Sequence, residues 1–192
     1  MISLLMEEDK HPGFLDKKVR YVSLSGYNEN VPTLEKGKFY TIRELIQSMV
    51  SRSDNIAYDL CWQMIEPSNF AKLFKDLNIK PYDIYHPSEY SLSAPEYSKF
   101  FRALYNAGFV SKKMSDFALR MLAESDFNLG LVKNMTDSFT VARKFGIRIG
   151  NSGTHLSEFG IFYFDNDPYF LGVITKKPID RKSTRLNSSH RT

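Results

Sequence analysis

The sequence predicts an α/β fold in which a mainly helical part, residues 1–138, is followed by three antiparallel strands within residues 139–179. Through roughly residue 135, apolar side chains recur at helical spacing behind polar residues that typically begin helices. Beyond that point, short runs rich in Phe, Tyr, Val and Ile alternate with turn residues, which is typical of strands. The composition of the 192 residues, 42% hydrophobic and 25% charged, is that of a globular domain.

Two capping boxes mark helix starts in the first part. Thr41 stands three residues before Glu44, and Ser93 stands three residues before Glu96, so each hydroxyl and carboxylate can satisfy N–H groups of a first turn. Ser111 can cap a later helix in the same way. The apolar residues at the amino end are also predicted to be helical.

Two further helices are predicted between these starts, over about residues 55–65 and 68–77. Pro67 should end the first of them, because proline disfavours helical backbone in the residue before it. The single cysteine, Cys61, is expected to be buried there, and one cysteine excludes an internal disulfide framework.

The second part contains three segments that predict a meander, residues 139–149, 158–165 and 169–176. Turn residues at 150–153 and 165–168 separate them, so consecutive strands should pair antiparallel. His155 and Glu158 lie three residues apart in this region and not on a helix face, which favours a surface pair over a metal site.

The net charge is +4, and residues 180–192 contribute three of these four charges. This segment lacks an apolar period, and residues 180–190 resemble the translation of a widely used sequencing adapter, so we predict a non-native tail after a domain of residues 1–179. The basic character therefore does not predict a nucleic-acid partner. No run approaches the ~18 apolar residues of an integral membrane span.

Two short motifs stand out as candidates for chemistry. The first is Ser53-Asp54-Asn55, which follows the helix that Thr41 begins; taken alone, these residues could form only a turn between helices. The second, Lys144-Phe145-Gly146, lies in the first predicted strand, and Lys144 could be only a solvated lysine.

In this order, and with the pattern at residues 40–45 before them, the motifs resemble those of serine β-lactamases and penicillin-binding proteins. The resemblance covers about residues 1–176. It implies a β-lactamase/transpeptidase-like fold with a five-stranded sheet, of which three strands are present. It also implies an extracytoplasmic protein that attacks a β-lactam or a peptidoglycan peptide through an acyl-enzyme, without a metal or other cofactor.

The resemblance assigns roles to five residues. Ser53 and Lys144 would be catalytic, because a hydroxyl beside a cation can relay a proton to the departing nitrogen. Asn55 would bind the substrate amide, and Gly146 would let substrate backbone approach the strand edge. Asp54 would be structural and hold the turn.

The sequence departs from the family pattern in three ways. Phe145 stands where Thr or Ser is usual, which removes a hydroxyl that helps hold a substrate carboxylate. No serine is followed by lysine three residues later, so the S-x-x-K nucleophile is absent; we expect it upstream of Met1 in a longer parent, and this chain to be inactive. Residues 78–93 are short and hold only Glu89, to which we assign no role in deacylation. A non-catalytic binding or structural module on the same fold is the alternative.

Overall fold

The computed structural model describes residues 1–22, 34–81, 91–135, 139–150, 153–164 and 167–177. Helices from the first part pack against a three-stranded antiparallel sheet from the second, so the predicted fold class is confirmed. Glu89 and the predicted tail, residues 180–192, lie outside the described residues, and the statements about them stay predictions.

Six helices occur within the described residues: α1 Ile2–Lys10, α2 Ile42–Ser51, α3 Asn55–Trp62, α4 Pro67–Asp76, α5 Ala94–Tyr105 and α6 Lys112–Ala123. Both predicted capping boxes are present, with the hydroxyls of Thr41 and Ser93 accepting from the third residue of each helix. Ser111 caps α6 in the same manner. None of these helices is long and apolar enough to cross a bilayer.

Pro67 lies in the first turn of α4, although the sequence predicted that it would end the preceding helix. Proline fits there because its missing N–H would have no partner within the helix. The preceding helix, α3, ends at Trp62, and Cys61 near its end is buried as predicted.

The mainly helical first part also contains two short strands that the sequence did not predict. Strand β1, Lys18–Arg20, pairs antiparallel with β2, Phe39–Thr41, and Val19 lies opposite Tyr40. Three residues are too few to show an alternating pattern, and pairing between segments this far apart is decided only when the chain folds.

The main sheet contains β3 Thr140–Gly150, β4 Gly153–Phe164 and β5 Asp167–Lys177, in the order β3-β4-β5. All pairs are antiparallel. Residues 151–152 and 165–166, within the two predicted turns, lie outside the described residues. β4 begins five residues before its predicted start, because residues 153–157 pair with β3 and contain the polar side chains that weakened the strand pattern.

The core lies between the helices and the sheet. Phe159 of β4 is 1% exposed and its ring stacks on Tyr97 of α5, with ring centroids 4.3 Å apart. Leu4 and Leu5 of α1 are completely buried in the same cluster. Because side chains alternate along a strand, Glu158 faces the opposite side of the sheet from Phe159.

We expect Gly172→Ala to lower the free energy of unfolding by about 1–3 kcal/mol, the usual cost of overpacking a core. Gly172 lies opposite Phe159, and a Cβ there would approach Cδ1 of that ring to 2.1 Å. The ring cannot retreat because it is buried against Tyr97.

Urea unfolding of Gly172→Ala and of the control Gly108→Ala measures this cost. At Gly108 the nearest atom to an added Cβ is a backbone oxygen at 3.7 Å, an ordinary contact. Equal effects of the two substitutions would contradict the close approach at Gly172.

Candidate active site

The loop between α2 and α3 holds the first motif in a tight turn. Ser53 has a φ of 58°, in the left-handed region that few residues other than glycine adopt. The Asp54 carboxylate accepts from the Ala57 N–H at 2.9 Å and from the Ser48 hydroxyl at 3.3 Å. Asp54 thus caps α3 and ties the turn that contains Ser53 to α2.

Lys144 of β3 meets Ser53 across this loop. Its Nζ donates hydrogen bonds to Ser53 Oγ and to the Phe145 carbonyl oxygen, the latter at 2.8 Å. Burial lowers the pKa of Lys144 to about 8, because the charged ammonium loses part of its hydration. The interpretation of Lys144 as a solvated strand lysine is therefore wrong.

The two predicted substrate-binding residues lie beside this pair. Asn55 is the exposed first residue of α3, and among the described residues its side chain forms no hydrogen bond to Ser53 or Lys144. Gly146 lies two residues beyond Lys144 on β3, whose second edge is unpaired within the described sheet. A Cβ at Gly146 would lie 3.1 Å from Ser157 Oγ.

A buried ion pair lies next to Lys144 on the other face of the sheet. The Arg143 guanidinium donates to Glu158 at 3.0 Å, and the two side chains are about as buried as apolar core residues. The prediction that Glu158 forms a surface pair with His155 is wrong, because the strand register brings Glu158 beside Arg143 instead.

This ion pair also anchors the loop after α6. Arg143 donates to the carbonyl oxygens of Ser125 and Phe127 and to the Asn128 side chain, and Glu158 accepts from the Leu131 N–H at 2.7 Å. The sequence signals this ion pair only by a charged residue, Glu158, at the start of an apolar strand segment. That signal does not identify Arg143 as its partner.

The anchored loop in turn contacts the Ser53 turn. The Asp126 N–H donates to the Ser51 carbonyl at 3.0 Å, and the Asp126 carboxylate pairs with Arg52 at 3.3 Å. The Phe127 ring stacks on Phe145, with centroids 4.1 Å apart and planes at 19°. The Arg143–Glu158 pair therefore connects the sheet to both motifs.

Lys144 also borders a cavity of about 380 Å³ between the helices and the sheet. Met1 at the start of α1, Met49, Tyr58 and Tyr97 are among the lining residues, and Lys144 has the only charged side chain among the described ones. The lining is mainly apolar, and it is the burial of the amine that lowers its pKa.

Such an arrangement suits proton transfer. An amine with a pKa of about 8 exists in both protonation states near neutral pH, and the Ser53 hydroxyl can pass a proton between it and a third group.

Comparisons with known proteins show the family and the fold. The model of the beta-lactamase enzyme family matches residues 1–188. The structure is similar to a beta-lactamase from Chitinophaga pinensis (TM-score 0.71, 18% identity, 94% of this chain and 74% of that one). A class A beta-lactamase from Mycobacterium abscessus gives a TM-score of 0.72 at 18% identity, over 98% of this chain and 77% of the other.

A third similar structure is a variant of PBP-A, solved as an acyl-enzyme complex with penicillin G. Its TM-score is 0.72 at 15% identity, over 96% of this chain and 72% of that one. A search of curated proteins finds no match.

Proposed function

Because this chain belongs to the beta-lactamase enzyme family, we propose that it supplies the proton-relay part of a serine hydrolase that opens an amide through an acyl-enzyme. The observation that carries the proposal is the hydrogen bond between Lys144 Nζ and Ser53 Oγ. Ser53 would donate its proton to the departing nitrogen and take one from Lys144, so that the serine stays neutral and the amine loses one proton.

The substrate would be a β-lactam or a peptidoglycan peptide. Substrate backbone would lie along the unpaired edge of β3 at Gly146, and Asn55 would orient the amide from the opposite side. Penicillin G forms an acyl-enzyme with the similar PBP-A variant, which supports this class of ligand. We also propose that the protein is extracytoplasmic, because β-lactams and peptidoglycan peptides are encountered outside the cytoplasm.

We expect the chain as given to be inactive. It contains no S-x-x-K sequence. Ser53 does not replace that nucleophile, because its hydroxyl is hydrogen-bonded to Lys144 of β3 and no lysine follows it three residues later. Purified protein should neither hydrolyse nitrocefin nor become labelled by a fluorescent penicillin. Labelling at any residue of this chain would show that the nucleophile is present after all.

A chain extended before Met1 by one helical turn carrying Ser-x-x-K provides the positive test. Met1 lines the cavity that Lys144 borders, so α1 continued by one turn would enter the site. The extended chain should be acylated, and adding Ser53→Ala should slow acylation by about 10²–10⁴-fold, the usual contribution of a positioned acid–base group.

The matched control in the extended chain is Ser98→Ala, since the Ser98 hydroxyl bonds only to the nearby Pro95 carbonyl within the described structure. We expect it to leave the acylation rate unchanged. An extended chain that is acylated equally fast with and without the Ser53 hydroxyl would contradict the relay.

A non-catalytic module on the same fold is the second candidate. One observation favours it: Phe145 replaces the usual hydroxyl residue, and its ring covers the Lys144 ammonium. The codons upstream in the source gene discriminate between the two. Ser-x-x-K there supports the hydrolase, whereas another residue in place of the serine supports the module.

A further inference from the structure

Strand β5 lies at one edge of the main sheet and has an exposed apolar centre. It pairs with β4 residue by residue, and no other strand within the described residues pairs with its outer edge. Gly172 is the only one of its 11 residues that is not exposed. The large apolar side chains of its middle part are between 36% and 59% exposed: Tyr169, Phe170, Leu171, Val173 and Ile174.

This edge lacks the features that usually prevent a strand from pairing with another chain. Such features are a β-bulge, a proline or a charged side chain within the strand. The register of β5 against β4 contains no bulge. Its proline and its charged residues stand only at the two ends, with Asp167 and Pro168 at the start and Lys176 and Lys177 at the finish. Residues 169–175 are therefore open to pairing with a further strand.

The end charges of β5 are complementary to those of a second copy. In a two-fold symmetric antiparallel pair, one residue lies opposite its own copy. With Gly172 at that position, Asp167 of each copy lies opposite Lys177 of the other, so both ends carry opposite charges. Within the described residues of a single chain, Asp167 and Lys177 form no ion pair, so both are available.

The same register pairs apolar side chains on both faces of the sheet. Leu171 of each copy lies opposite Val173 of the other on one face, and Phe170 lies opposite Ile174 on the other face. Apolar cross-strand pairs of this kind stabilise a sheet. One register therefore matches the charges at the ends and the apolar residues in the middle.

Strand β3, at the opposite edge of the sheet, does not offer this match. It contains three cationic residues, Arg143, Lys144 and Arg148, and no acidic residue. Antiparallel pairing of two β3 strands would bring like charges together, which destabilises a sheet. The charge pattern thus favours self-association through β5.

We propose that two copies of this chain form a homodimer by pairing their β5 strands antiparallel about a two-fold axis at Gly172. The product is a six-stranded sheet in the order β3-β4-β5-β5-β4-β3. Because the two contact surfaces are identical, pairing uses both β5 edges and stops at two copies. Lys144 on each β3 stays at an outer edge, so the inference is independent of the proposed function.

Sedimentation equilibrium of the chain as given should show a species of twice the chain mass. Asp167→Lys and Lys177→Asp each place like charges at both ends of the paired strands. Each substitution should raise the dissociation constant by about tenfold or more. The control is Lys75→Asp, which makes the same change of charge at an exposed position of α4 and should leave the dissociation constant unchanged.

An equimolar mixture of the Asp167→Lys and Lys177→Asp variants tests the register itself. In a dimer of one chain of each kind, opposite charges again face each other at both ends. The mixture should therefore dimerise about as tightly as the unmodified chain, although each variant alone does not. Recovery in the mixture would also show that both variants are folded.

A chain that stays monomeric at every concentration would overturn the proposal and leave the β5 edge to a different strand, such as one from a longer parent. A dimer that is insensitive to both charge reversals, or a mixture that recovers no affinity, would show that the contact lies elsewhere. Open-ended aggregates in place of a dimer would also contradict it, because the proposed contact closes at two copies.

Discussion

Arg143→Met should lower the free energy of unfolding by about 3–5 kcal/mol, the cost of leaving one partner of a buried ion pair uncompensated. Glu158 would keep only the N–H of Leu131 as a described partner and would be buried without a counter-charge. The carbonyl oxygens of Ser125 and Phe127 would lose their donor at the same time.

Urea unfolding followed by circular dichroism measures this loss. Lys112→Ala is the matched control, because it breaks an exposed pair with Asp116 that should contribute no more than about 1 kcal/mol. Glu158→Gln should be destabilising in the same range as Arg143→Met. A change no larger than that of Lys112→Ala would show that the Arg143–Glu158 pair does not anchor the loop.

The contribution of Lys144 to the free energy of unfolding should rise between about pH 8 and pH 10.5. Burial lowers the pKa of this amine from 10.5 in the unfolded chain to about 8 in the folded one. Below pH 8 it is charged in both states, and folding bears the full cost of desolvating the charge. Above pH 8 the folded state binds fewer protons than the unfolded state, so the cost falls as pH rises.

A shift of this size corresponds to about 3 kcal/mol, since one pKa unit is worth about 1.4 kcal/mol. Other groups titrate in the same range: burial raises the pKa of Cys61 to about 11, which lowers stability as pH rises. The measurement is therefore the difference between the unfolding free energies of the unmodified chain and Lys144→Met at several pH values.

The methionine variant has no charge to desolvate at any pH. The unfolding free energy of the unmodified chain, relative to that of Lys144→Met, should therefore rise by about 3 kcal/mol between pH 7 and pH 10.5. The other titrating groups are shared by both proteins and cancel. A difference that stays constant with pH would mean that Lys144 is as well hydrated in the folded chain as in the unfolded one.

The sequence by itself determined the features that arise within a few residues of one another. The capping boxes at Thr41 and Ser93, the three strands, and the burial of Cys61 were all predicted from local patterns. The two motifs around Ser53 and Lys144 were found because family motifs are short and contiguous. Local hydrogen bonding and side-chain periodicity act at this range.

The tertiary structure alone decided which distant residues meet. The pairing of β1 with β2, the burial of Glu158 beside Arg143 and the stacking of Phe127 on Phe145 depend on strand register and on loop packing. A lysine, an arginine and a glutamate look equally solvated in a sequence. Their environment sets their chemistry, because burial changes the energy of a charge and only the folded chain determines what replaces water around it.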